Sequence, residues 1–276
     1  MVDKRKLFRW IRIVIIIYSL LGIVLYYTQE LLLFHPKSLP ASYRWEFAVP
    51  YRDVNIPYST GSNMNVVQFQ TAHANPKGVV LYFHGNRENI NHYATAASLF
   101  TKNGYEVWML DYPGFGKSTG PFTEKRLYEW ALVFYKLART RFEPGNIILY
   151  GRSMGTAVAA QLSSVRDCRV LILETPYYSF PSIFNSWLPL YPYNKMLHYE
   201  FPSWKFLQET IAPVVIFHGT NDRIIPFRNA EKLVRFLKKS DRFIQVTGAS
   251  HNDVTSFTTY TKTIDSLLMT TAVYPK

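Results

Sequence analysis

The segment 146–162, "NIILYGRSMGTAVAAQL", constrains the fold more than any other part of the chain. An apolar run rich in isoleucine ends at Gly151, and a helix pattern of small residues begins at Gly155. A strand that turns this sharply into a helix leaves no room for side chains beside the turn, which glycine avoids. Small residues then let the helix approach the sheet closely: Ala157, Ala159 and Ala160. The segment predicts a strand, a tight turn that lifts Ser153 above a sheet, and a helix.

The rest of the chain alternates between two kinds of segment. Short apolar runs read as strands: "GVVLYFHG", "YEVWMLDYPGFG", "NIILYG", "RVLILE", "PVVIFHG" and "RFIQVTG". Helical patterns separate them: "NINHYATAASLFTKNG", "TEKRLYEWALVFYKLARTR", "GTAVAAQLSSV" and "NAEKLVRFLKK". Near-continuous apolar strands alternating with helices predict an α/β fold with a mostly parallel, doubly wound sheet. The segments "YRWEFAVPYRDVNIPY" and "NMNVVQFQT" predict an antiparallel hairpin at its start.

The segment 175–212 interrupts this alternation with many aromatic residues and prolines. One interpretation is a helix with loops that pack over the edge of the sheet. The other is a cap over a site at the carboxyl ends of the strands, where it would form an apolar pocket. We expect one continuous domain over residues 29–276, with 175–212 as its cap.

The N-terminal segment predicts a membrane anchor over residues 10–28, preceded by a basic stub, residues 1–9. No charged residue occurs from Ile13 to Gln29, and aromatic residues flank the span. A buried amphipathic helix would need a polar face, which this segment lacks. A cleaved signal peptide would end in a small-x-small site, whereas "YYTQELLLFHP" follows here. Because basic residues precede the span, we expect a cytoplasmic N-terminus and a domain on the opposite side (periplasmic, lumenal or extracellular).

The formal charge of +12 is compatible with two kinds of partner, nucleic acid and anionic lipid headgroups. The sequence has no zinc-finger spacing or aromatic RNA-binding motif, so we expect a membrane and no nucleic acid. Cys168 is the only cysteine, which excludes an internal disulfide and predicts a small core residue. The chain, with 48% hydrophobic residues, is long enough for one large core.

A serine hydroxyl attacks carbonyl groups only when a base accepts its proton and a carboxylate orients that base. On a turn of this kind the expected order along the chain is Ser, then Asp or Glu, then His. Asp222 in "VVIFHGTNDRIIP" and His251 in "IQVTGASHND" follow Ser153 in that order, each just past a strand. The sequence therefore predicts a triad of Ser153, Asp222 and His251.

Four other ionisable residues are weaker candidates for this triad. His218 ends an apolar strand and is expected to be structural, while His198 lies in the cap segment. Asp253 lies only two residues from His251, which makes the required geometry difficult, and Asp111 in "DYPGFGKS" is expected to serve the turn after its strand.

Acyl transfer also needs two fixed N–H donors for the developing oxyanion. The backbone N–H of Met154, directly after the serine, is one candidate. The other is the backbone N–H of Asn86 in "HGNREN", a loop whose turn His84 and Gly85 are expected to shape. The alternative for "HGNREN" is a simple glycine-containing loop without a catalytic role.

Together, the HGN, DYPGFGKS, GRSMG, HGTNDRIIP and HND motifs resemble those of the α/β-hydrolase superfamily. The closest resemblance is to its membrane-anchored branch, which includes protein depalmitoylases and many bacterial hydrolases. The resemblance covers roughly residues 30–276 and implies a Ser–His–Asp mechanism through an acyl-enzyme, without a metal or an organic cofactor. One departure is "REN" after HGN, where Arg87 and Glu88 replace the small residues often found in relatives.

These motifs lead us to expect a serine hydrolase that cleaves carboxylic esters or thioesters of acyl chains, with an acyl-containing small molecule or lipid as substrate. A serine peptidase of the aminopeptidase type is the alternative, and a non-catalytic scaffold is a third reading. Dehalogenase or dienelactone-type chemistry would need Asp or Cys where Ser153 stands.

Overall fold

The computed structural model describes residues 3–187 and 189–269. The ends of the predicted stub and domain (residues 1–2 and 270–276) and Leu188 in the predicted cap lie outside the described residues. The strands are β1 (His35–Pro36), β2 (Tyr51–Ser59), β3 (Ser62–Phe69), β4 (Gly78–Phe83), β5 (Arg87–Glu88), β6 (Tyr105–Leu110), β7 (Ile147–Arg152), β8 (Val170–Glu174), β9 (Val214–Gly219) and β10 (Arg242–Val246). The α-helices are α1 (Lys4–Leu33), α2 (Ile90–Tyr93), α3 (Ala97–Thr101), α4 (Glu124–Arg139), α5 (Gly155–Val165), α6 (Phe180–Trp187), α7 (Tyr193–Met196), α8 (Ser203–Glu209), α9 (Phe227–Glu231) and α10 (Thr258–Met269).

The central sheet has eight strands in the order β10-β9-β8-β7-β4-β6-β3-β2. The six strands from β10 to β6 are parallel to their neighbours, whereas β2 and β3 form an antiparallel hairpin on the edge. This arrangement confirms the predicted doubly wound, mostly parallel sheet with an antiparallel hairpin at its start. Each predicted parallel strand is present.

Alternate residues of one strand enter two separate cores, which explains why the parallel strands are apolar throughout. In β4, Val79, Leu81 and Phe83 pack into the core under α4 and α5. Val80 and Tyr82 pack into the opposite core, with α3 and α10. Burying an aliphatic or aromatic side chain of this kind contributes roughly 1.5–3 kcal/mol. The sheet is therefore held from both faces, and its loops are presented on a rigid frame.

Helix α4 shows how the outer layer is specified. The side chain of Thr123 accepts a hydrogen bond from the Arg126 N–H and caps the helix N-terminus. Its buried stripe recurs every three or four residues and faces the sheet: Leu127, Trp130, Ala131, Phe134 and Ala138.

Two of the predicted helices are broken, and one helix was not predicted. The stretch 90–101 divides into α2, a 3-10 turn and α3, and 227–236 divides into α9 and a 3-10 turn. Helix α10 was missed because it is rich in threonine, which has low helix propensity. Tertiary packing stabilises α10, since Tyr260, Ile264 and Leu268 are buried on one face.

The helices of the aromatic insertion lie in two different surroundings. Helix α8 packs against α5 on the side of the sheet, and its Leu207 is part of the core. Helix α6, in contrast, contributes Phe180, Ile183 and Phe184 to the cavity that contains Ser153. Helix α6 is therefore the helix of the insertion that lines this cavity.

Helix α1 has 30 residues, and its apolar side chains are largely exposed. Its length and composition suffice to cross a membrane. Asp3 caps its N-terminus by accepting from the Arg5 N–H at 3.0 Å. At the other end, α1 runs directly into β1 and the domain.

Candidate active site

Ser153 lies on the tight turn between β7 and α5, with φ at 51° in the left-handed region. Non-glycine residues adopt this conformation only when the surrounding structure enforces it. A Cβ atom at Gly151 would lie 2.6 Å from Thr156 Cα, and one at Gly155 would overlap the carbonyl oxygen of Phe83. The two glycines therefore allow the close packing that holds Ser153 in its strained conformation.

The structure brings Ser153, His251 and Asp222 into one hydrogen-bonded series. His251 Nε2 lies 3.0 Å from Ser153 Oγ, and His251 Nδ1 lies 2.7 Å from Asp222 Oδ2. Since a carboxylate only accepts, the Nδ1–H donates to Asp222, which leaves Nε2 free to accept the serine proton. Asp222 is 5% exposed and His251 is 7% exposed, so water competes little for these contacts. The arrangement is chemically able to activate the serine hydroxyl.

Asp222 is fixed by the backbone of its own loop. Its Oδ1 accepts from the N–H groups of Ile224 (2.9 Å) and Ile225 (2.8 Å). His218 Nε2 donates to the Ile225 carbonyl at 2.9 Å and lies 3.4 Å from Asp222 Oδ2. Burial lowers the pKa of His218, which favours its neutral form. His218 therefore stabilises the loop after β9 that carries Asp222, Ile224 and Ile225, which we call the acid loop.

The other ionisable candidates have separate roles. Asp253 Oδ1 accepts from the Ser250 N–H at 2.6 Å and shapes the turn that carries His251. The His198 ring packs edge-on against Tyr26 of α1 at 4.8 Å.

Asp111 holds the loop that carries the HGN motif. It is fully buried, accepts from the Ile90 N–H at 3.1 Å and lies 3.3 Å from His84 Nε2. Burial raises the pKa of Asp111, because no water solvates its charged form. His84 Nδ1 bonds to the Gly85 carbonyl at 2.7 Å. His84 and Asp111 thus connect the loops that follow β4 and β6.

The loop after β4 passes close to Ser153. A Cβ atom at Gly85 would lie 3.7 Å from Ser153 Cβ and 2.9 Å from Tyr93 Oη. Asn86 and Met154 line the same cavity as Ser153. Within residues 3–187 and 189–269, neither of their backbone N–H groups donates to a protein acceptor.

A two-stranded parallel ribbon, not foreseen from the sequence, connects this loop to the end of α1. The His35 N–H donates to the Asn86 carbonyl at 2.9 Å, and the Lys37 N–H donates to the Glu88 carbonyl at 3.1 Å. The Asn86 side chain donates to the Leu33 carbonyl at 2.6 Å. No periodic signal marks strands of two residues, so pattern analysis had no means to find them.

Arg87 and Glu88, the departure noted in the sequence, both line the cavity. The Glu88 carboxylate lies 3.4 Å from the Lys37 ammonium, and both side chains are exposed. Glu88 also has φ at 61°, so its backbone lies in the left-handed region. The Arg87 carbonyl accepts from the Tyr93 hydroxyl at 3.1 Å.

A buried charged network beneath Ser153 also escaped sequence analysis. Arg152 Nε lies 3.3 Å from Glu174 Oε1, and the Tyr150 hydroxyl donates to the same carboxylate. Although burial lowers the pKa of Arg152, the Glu174 carboxylate and the neighbouring hydroxyls of Tyr82, Tyr150 and Tyr93 together raise it. The Glu174 carbonyl accepts from the Ser153 N–H at 2.9 Å. The available signal was the glutamate that ends "RVLILE", since a charge at the end of a buried strand needs a partner.

The cavity around Ser153 has a volume of about 850 Å³, and its lining residues divide by chemistry into two groups, each of which we call a wall. The first, which we call the apolar wall, comes from the insertion, the end of α1 and the acid loop: Leu32, Leu33, Tyr177, Phe180, Ile183, Phe184, Trp187, Ile224 and Ile225. The second, the polar wall, comes from the loops of the sheet and from the ribbon: His35, Asn86, Arg87, Glu88, His92, Tyr93, Thr95, Arg152, Asn252 and Thr255. Across the described part of the chain, no three His, Cys, Asp or Glu residues are grouped to hold a metal ion.

Comparisons with known proteins agree with this fold. The chain is 31% identical to alpha/beta hydrolase domain-containing protein 17C of Xenopus tropicalis over 185 residues, which cover 66% of this chain and 58% of that protein. The human protein of the same name is 30% identical and is covered to 55%. The match thus spans little more than half the length of these relatives.

Solved structures share the fold at low sequence identity. An esterase from Pyrococcus furiosus superimposes with a TM-score of 0.66 and 16% identity, covering 86% of this chain and 96% of that one. A soluble variant of monoglyceride lipase from Saccharomyces cerevisiae, solved with a substrate analogue, gives 0.60 and 17%, covering 84% and 98%. The sequence model described as "Serine aminopeptidase, S33" matches residues 74–211, which is half of the chain. The chain therefore belongs to this serine aminopeptidase S33 family of the α/β-hydrolase superfamily.

Proposed function

We propose that the chain is a membrane-anchored serine hydrolase that cleaves carboxylic esters or thioesters of acyl chains. The observation that carries this proposal is the hydrogen-bonded series of Asp222, His251 and Ser153 at the floor of a cavity with one apolar wall. The series supplies an activated nucleophile. The apolar wall supplies a surface on which a hydrocarbon chain is favoured over water.

In the first half of the reaction, Ser153 Oγ attacks the carbonyl carbon and its proton passes to His251 Nε2. Asp222 stabilises the imidazolium that forms. The carbonyl oxygen becomes an oxyanion, which accepts hydrogen bonds from the backbone N–H groups of Asn86 and Met154. One such donor is typically worth about 10²–10³ in rate.

Collapse of this intermediate breaks the bond to the alcohol or thiol, which leaves with the proton from His251. The acyl group remains on Ser153 as an ester. Water then gives a proton to His251 and attacks the acyl carbon, and a second collapse releases the carboxylic acid and returns the proton to Ser153. These steps use only groups of the chain and water.

The two walls suggest which part of the substrate each one contacts. Phe180, Ile183 and Phe184 offer aromatic and aliphatic surface for the acyl chain. Arg87 and Asn252 on the polar wall offer donors to the alcohol or thiol portion. Ester substrates are supported by the fold neighbours named as an esterase and a monoglyceride lipase. Thioesters are included because the motifs resemble the branch that contains protein depalmitoylases.

The family description also raises an aminopeptidase as the second candidate. An aminopeptidase must bind a protonated amino terminus, for which a carboxylate in the cavity is the natural partner. Among the described residues that line the cavity, Glu88 is the one acidic residue, and it is paired with Lys37. The cationic side chain of Arg87 on the same wall disfavours a charged amine. We therefore place ester hydrolysis first.

The proposed anchor is the part of α1 from residue 10 to residue 28, with the hydrolase domain over 29–276 on the far side of the membrane. The exposed apolar surface of α1 supports a membrane span. The basic residues before residue 10 support this orientation. In inverted vesicles, added protease should leave the domain intact, whereas ready digestion would place the domain on the cytoplasmic side.

The activity is tested by fluorophosphonate labelling of the full chain in detergent, with Ser153→Ala and His251→Ala as variants. We expect no labelling of Ser153→Ala and a sharp loss with His251→Ala. Ser164→Ala is the matched control, because Ser164 lies on the same helix and its hydroxyl bonds only to the Gln161 carbonyl. A folded wild type that fails to label would support a non-catalytic scaffold.

The substrate class is then tested with p-nitrophenyl esters of increasing chain length, matched thioesters and aminoacyl amides. Faster turnover of long-chain than of short-chain esters supports the acyl-chain proposal. Preferential turnover of the aminoacyl amides would instead favour the peptidase.

A further inference from the structure

The part of the insertion at the end of α6 and just after it is apolar and exposed. We call Trp187, Leu190 and Tyr191 the cap tip. The Trp187 and Leu190 side chains are 58% and 57% exposed, which is unusual for such large apolar groups. No charged residue occurs anywhere in 175–194. This surface is therefore poorly suited to water.

The cap tip is bound to the middle of α1. The Tyr18 and Tyr191 rings stack with their centroids 4.4 Å apart and an angle of 13° between their planes. The Tyr18 hydroxyl donates to the Leu190 carbonyl at 2.7 Å, and the Tyr191 hydroxyl donates to the Tyr18 carbonyl at 2.8 Å. A Cβ atom at Gly22 would lie 3.1 Å from the Tyr191 ring, so glycine provides the room for this contact.

The position of these contacts along α1 sets the depth of the cap tip if α1 spans a membrane. Tyr18 precedes Glu30 by twelve residues, which corresponds to about 18 Å along the helix. Half of a bilayer's hydrocarbon layer is about 15 Å thick. With Glu30 at the membrane surface, Tyr18 and the cap tip lie near the centre of the bilayer.

The alternative, with the cap tip in water, leaves α1 too short. Only residues 4–17 of the helix extend beyond the contact with Tyr18, a length of about 21 Å. The hydrocarbon layer is about 30 Å thick. Helix α1 therefore spans a bilayer only if the cap tip enters the membrane or the contacts with Tyr18 break.

Along the contact between α1 and the insertion, polarity increases toward the domain, as it does from the centre of a membrane to its surface. At the cap tip, both tyrosine hydroxyls are paired with backbone carbonyls, as a hydrocarbon environment requires. Near the domain the contacts become polar: Gln29 bonds to the Met196 carbonyl and the His198 N–H, and Glu30 bonds to the Tyr199 hydroxyl. The polar end of the contact thus lies where headgroups and water are expected.

We propose that the cap tip is buried in the hydrocarbon of the leaflet next to the domain, and that the cavity receives acyl chains directly from that leaflet. Leu32 and Leu33 of α1 and Trp187 of the cap tip all line the cavity, so it reaches the region where the end of α1 and the insertion meet. The delivery of acyl chains rests on the proposed function. The burial of the cap tip does not.

The depth of the cap tip is measured on the full chain in phosphatidylcholine vesicles. Leu190→Cys is labelled with an NBD fluorophore, and quenching by lipids brominated on their acyl chains is compared with quenching by aqueous iodide. Ile211→Cys is the matched control. Ile211 is 83% exposed and lies just before the amino end of β9, whereas the cavity lies at the carboxyl ends of the strands. Burial raises the pKa of the native Cys168 thiol to about 12, so it reacts slowly at neutral pH.

We expect brominated lipids to quench the probe at position 190 at least fivefold more than the probe at 211, with the reverse order for iodide. Equal quenching of both probes by iodide would overturn the membrane position. This result does not depend on catalysis. Fluorophosphonate labelling of the same samples separates a failure of the proposed function from a failure of the membrane position.

The delivery of acyl chains is tested with Leu190→Glu, because the Leu190 side chain is exposed and is not among the residues lining the cavity. We expect hydrolysis of a long-chain ester embedded in vesicles to fall at least tenfold, while turnover of a short soluble ester changes less than twofold. Ile211→Glu should affect neither substrate. Equal losses on both substrates, or no loss on the embedded one, would overturn direct delivery from the leaflet.

Discussion

The two sides of the cavity, the loops at the strand ends and the insertion with the end of α1, are built in different ways. On the side of the sheet, each member of the series lies within a few residues of a strand end, and local backbone groups hold it: Ser153 by the Glu174 carbonyl, and Asp222 by its own loop. On the side of the insertion, contacts between distant segments hold the structure. Gln29 and Met196, for example, are 167 positions apart.

The difference shows which property of the site each side of the cavity determines. Short loops on a rigid sheet keep reacting atoms in register, so the proposed chemistry depends on little besides the sheet. The insertion and α1 supply most of the apolar surface of the cavity, although the Leu33 carbonyl also binds the Asn86 side chain. Substrate preference is therefore free to vary among proteins that share this fold.

The largest effect that we expect comes from replacing Asp222, the acid in the loop after β9. Asp222→Asn should lower kcat/KM for a short soluble ester by about 10⁴, because an amide stabilises the wrong tautomer of His251. Asp253→Asn is the matched control and should change the rate less than twofold, since its remaining oxygen still accepts from the Ser250 N–H. Equal losses in the two variants would show that position 222 has no special role.

The next effect concerns how tightly the same side is packed. Gly155→Ala would place a methyl group against the Phe83 carbonyl, and we expect it to lower the free energy of unfolding by about 3 kcal/mol. Gly145→Ala, which has no heavy atom within 4 Å of the added Cβ, should change it by less than about 0.5 kcal/mol. Denaturant unfolding of the detergent-solubilised chain compares the two. A tolerated methyl at position 155 would contradict the proposed strain at Ser153.

A substitution in the insertion should change substrate selectivity rather than the stability of the fold. Phe184→Ala removes one aromatic group from the apolar wall, so we expect kcat/KM for a long-chain ester to fall about tenfold. Turnover of an acetyl ester should change less than twofold. A loss that is the same for both chain lengths would mean that Phe184 supports the catalytic loops instead of contacting the acyl chain.

The smallest effect concerns the contact between α1 and the insertion. Gln29→Ala leaves the Met196 carbonyl and the His198 N–H unpaired, a cost of about 1 kcal/mol that should make cleavage within 189–198 about fivefold faster in limited proteolysis. Thr28→Ala is the control, since the Thr28 hydroxyl bonds within its own helix to the Val24 carbonyl. If both variants are cleaved at the same rate, Gln29 does not hold the insertion.

The sequence predicted the side of the sheet better than the side of the insertion, for a physical reason. Strands buried on both faces leave continuous apolar runs, and a turn as tight as that at Ser153 requires glycines, so both are visible locally. The fold was confirmed. The structure also brings the predicted Ser153, Asp222 and His251 together, while their roles in catalysis remain predictions.

The features that escaped prediction depend on contacts between distant residues. Helix α10 has a weak intrinsic preference and forms because its buried face meets the sheet. The contact between Arg152 and Glu174 joins two neighbouring strands, and the stacking of Tyr18 on Tyr191 joins the first helix to a loop 173 residues later. Single-sequence patterns do not encode which distant segments meet.

The ribbon between β1 and β5 has a practical consequence for anyone designing a soluble version of this protein. Deleting the first 38 residues removes the proposed anchor, but it also removes β1 and Lys37, and with them the His35 and Lys37 N–H groups that donate to the Asn86 and Glu88 carbonyls. The proposed oxyanion donor then loses its neighbour on one side. A fragment that begins at Leu33 retains that strand and the backbone carbonyl that binds the Asn86 side chain. The boundary for truncation is therefore set by the contacts that Leu33 and His35 make with the Asn86 loop.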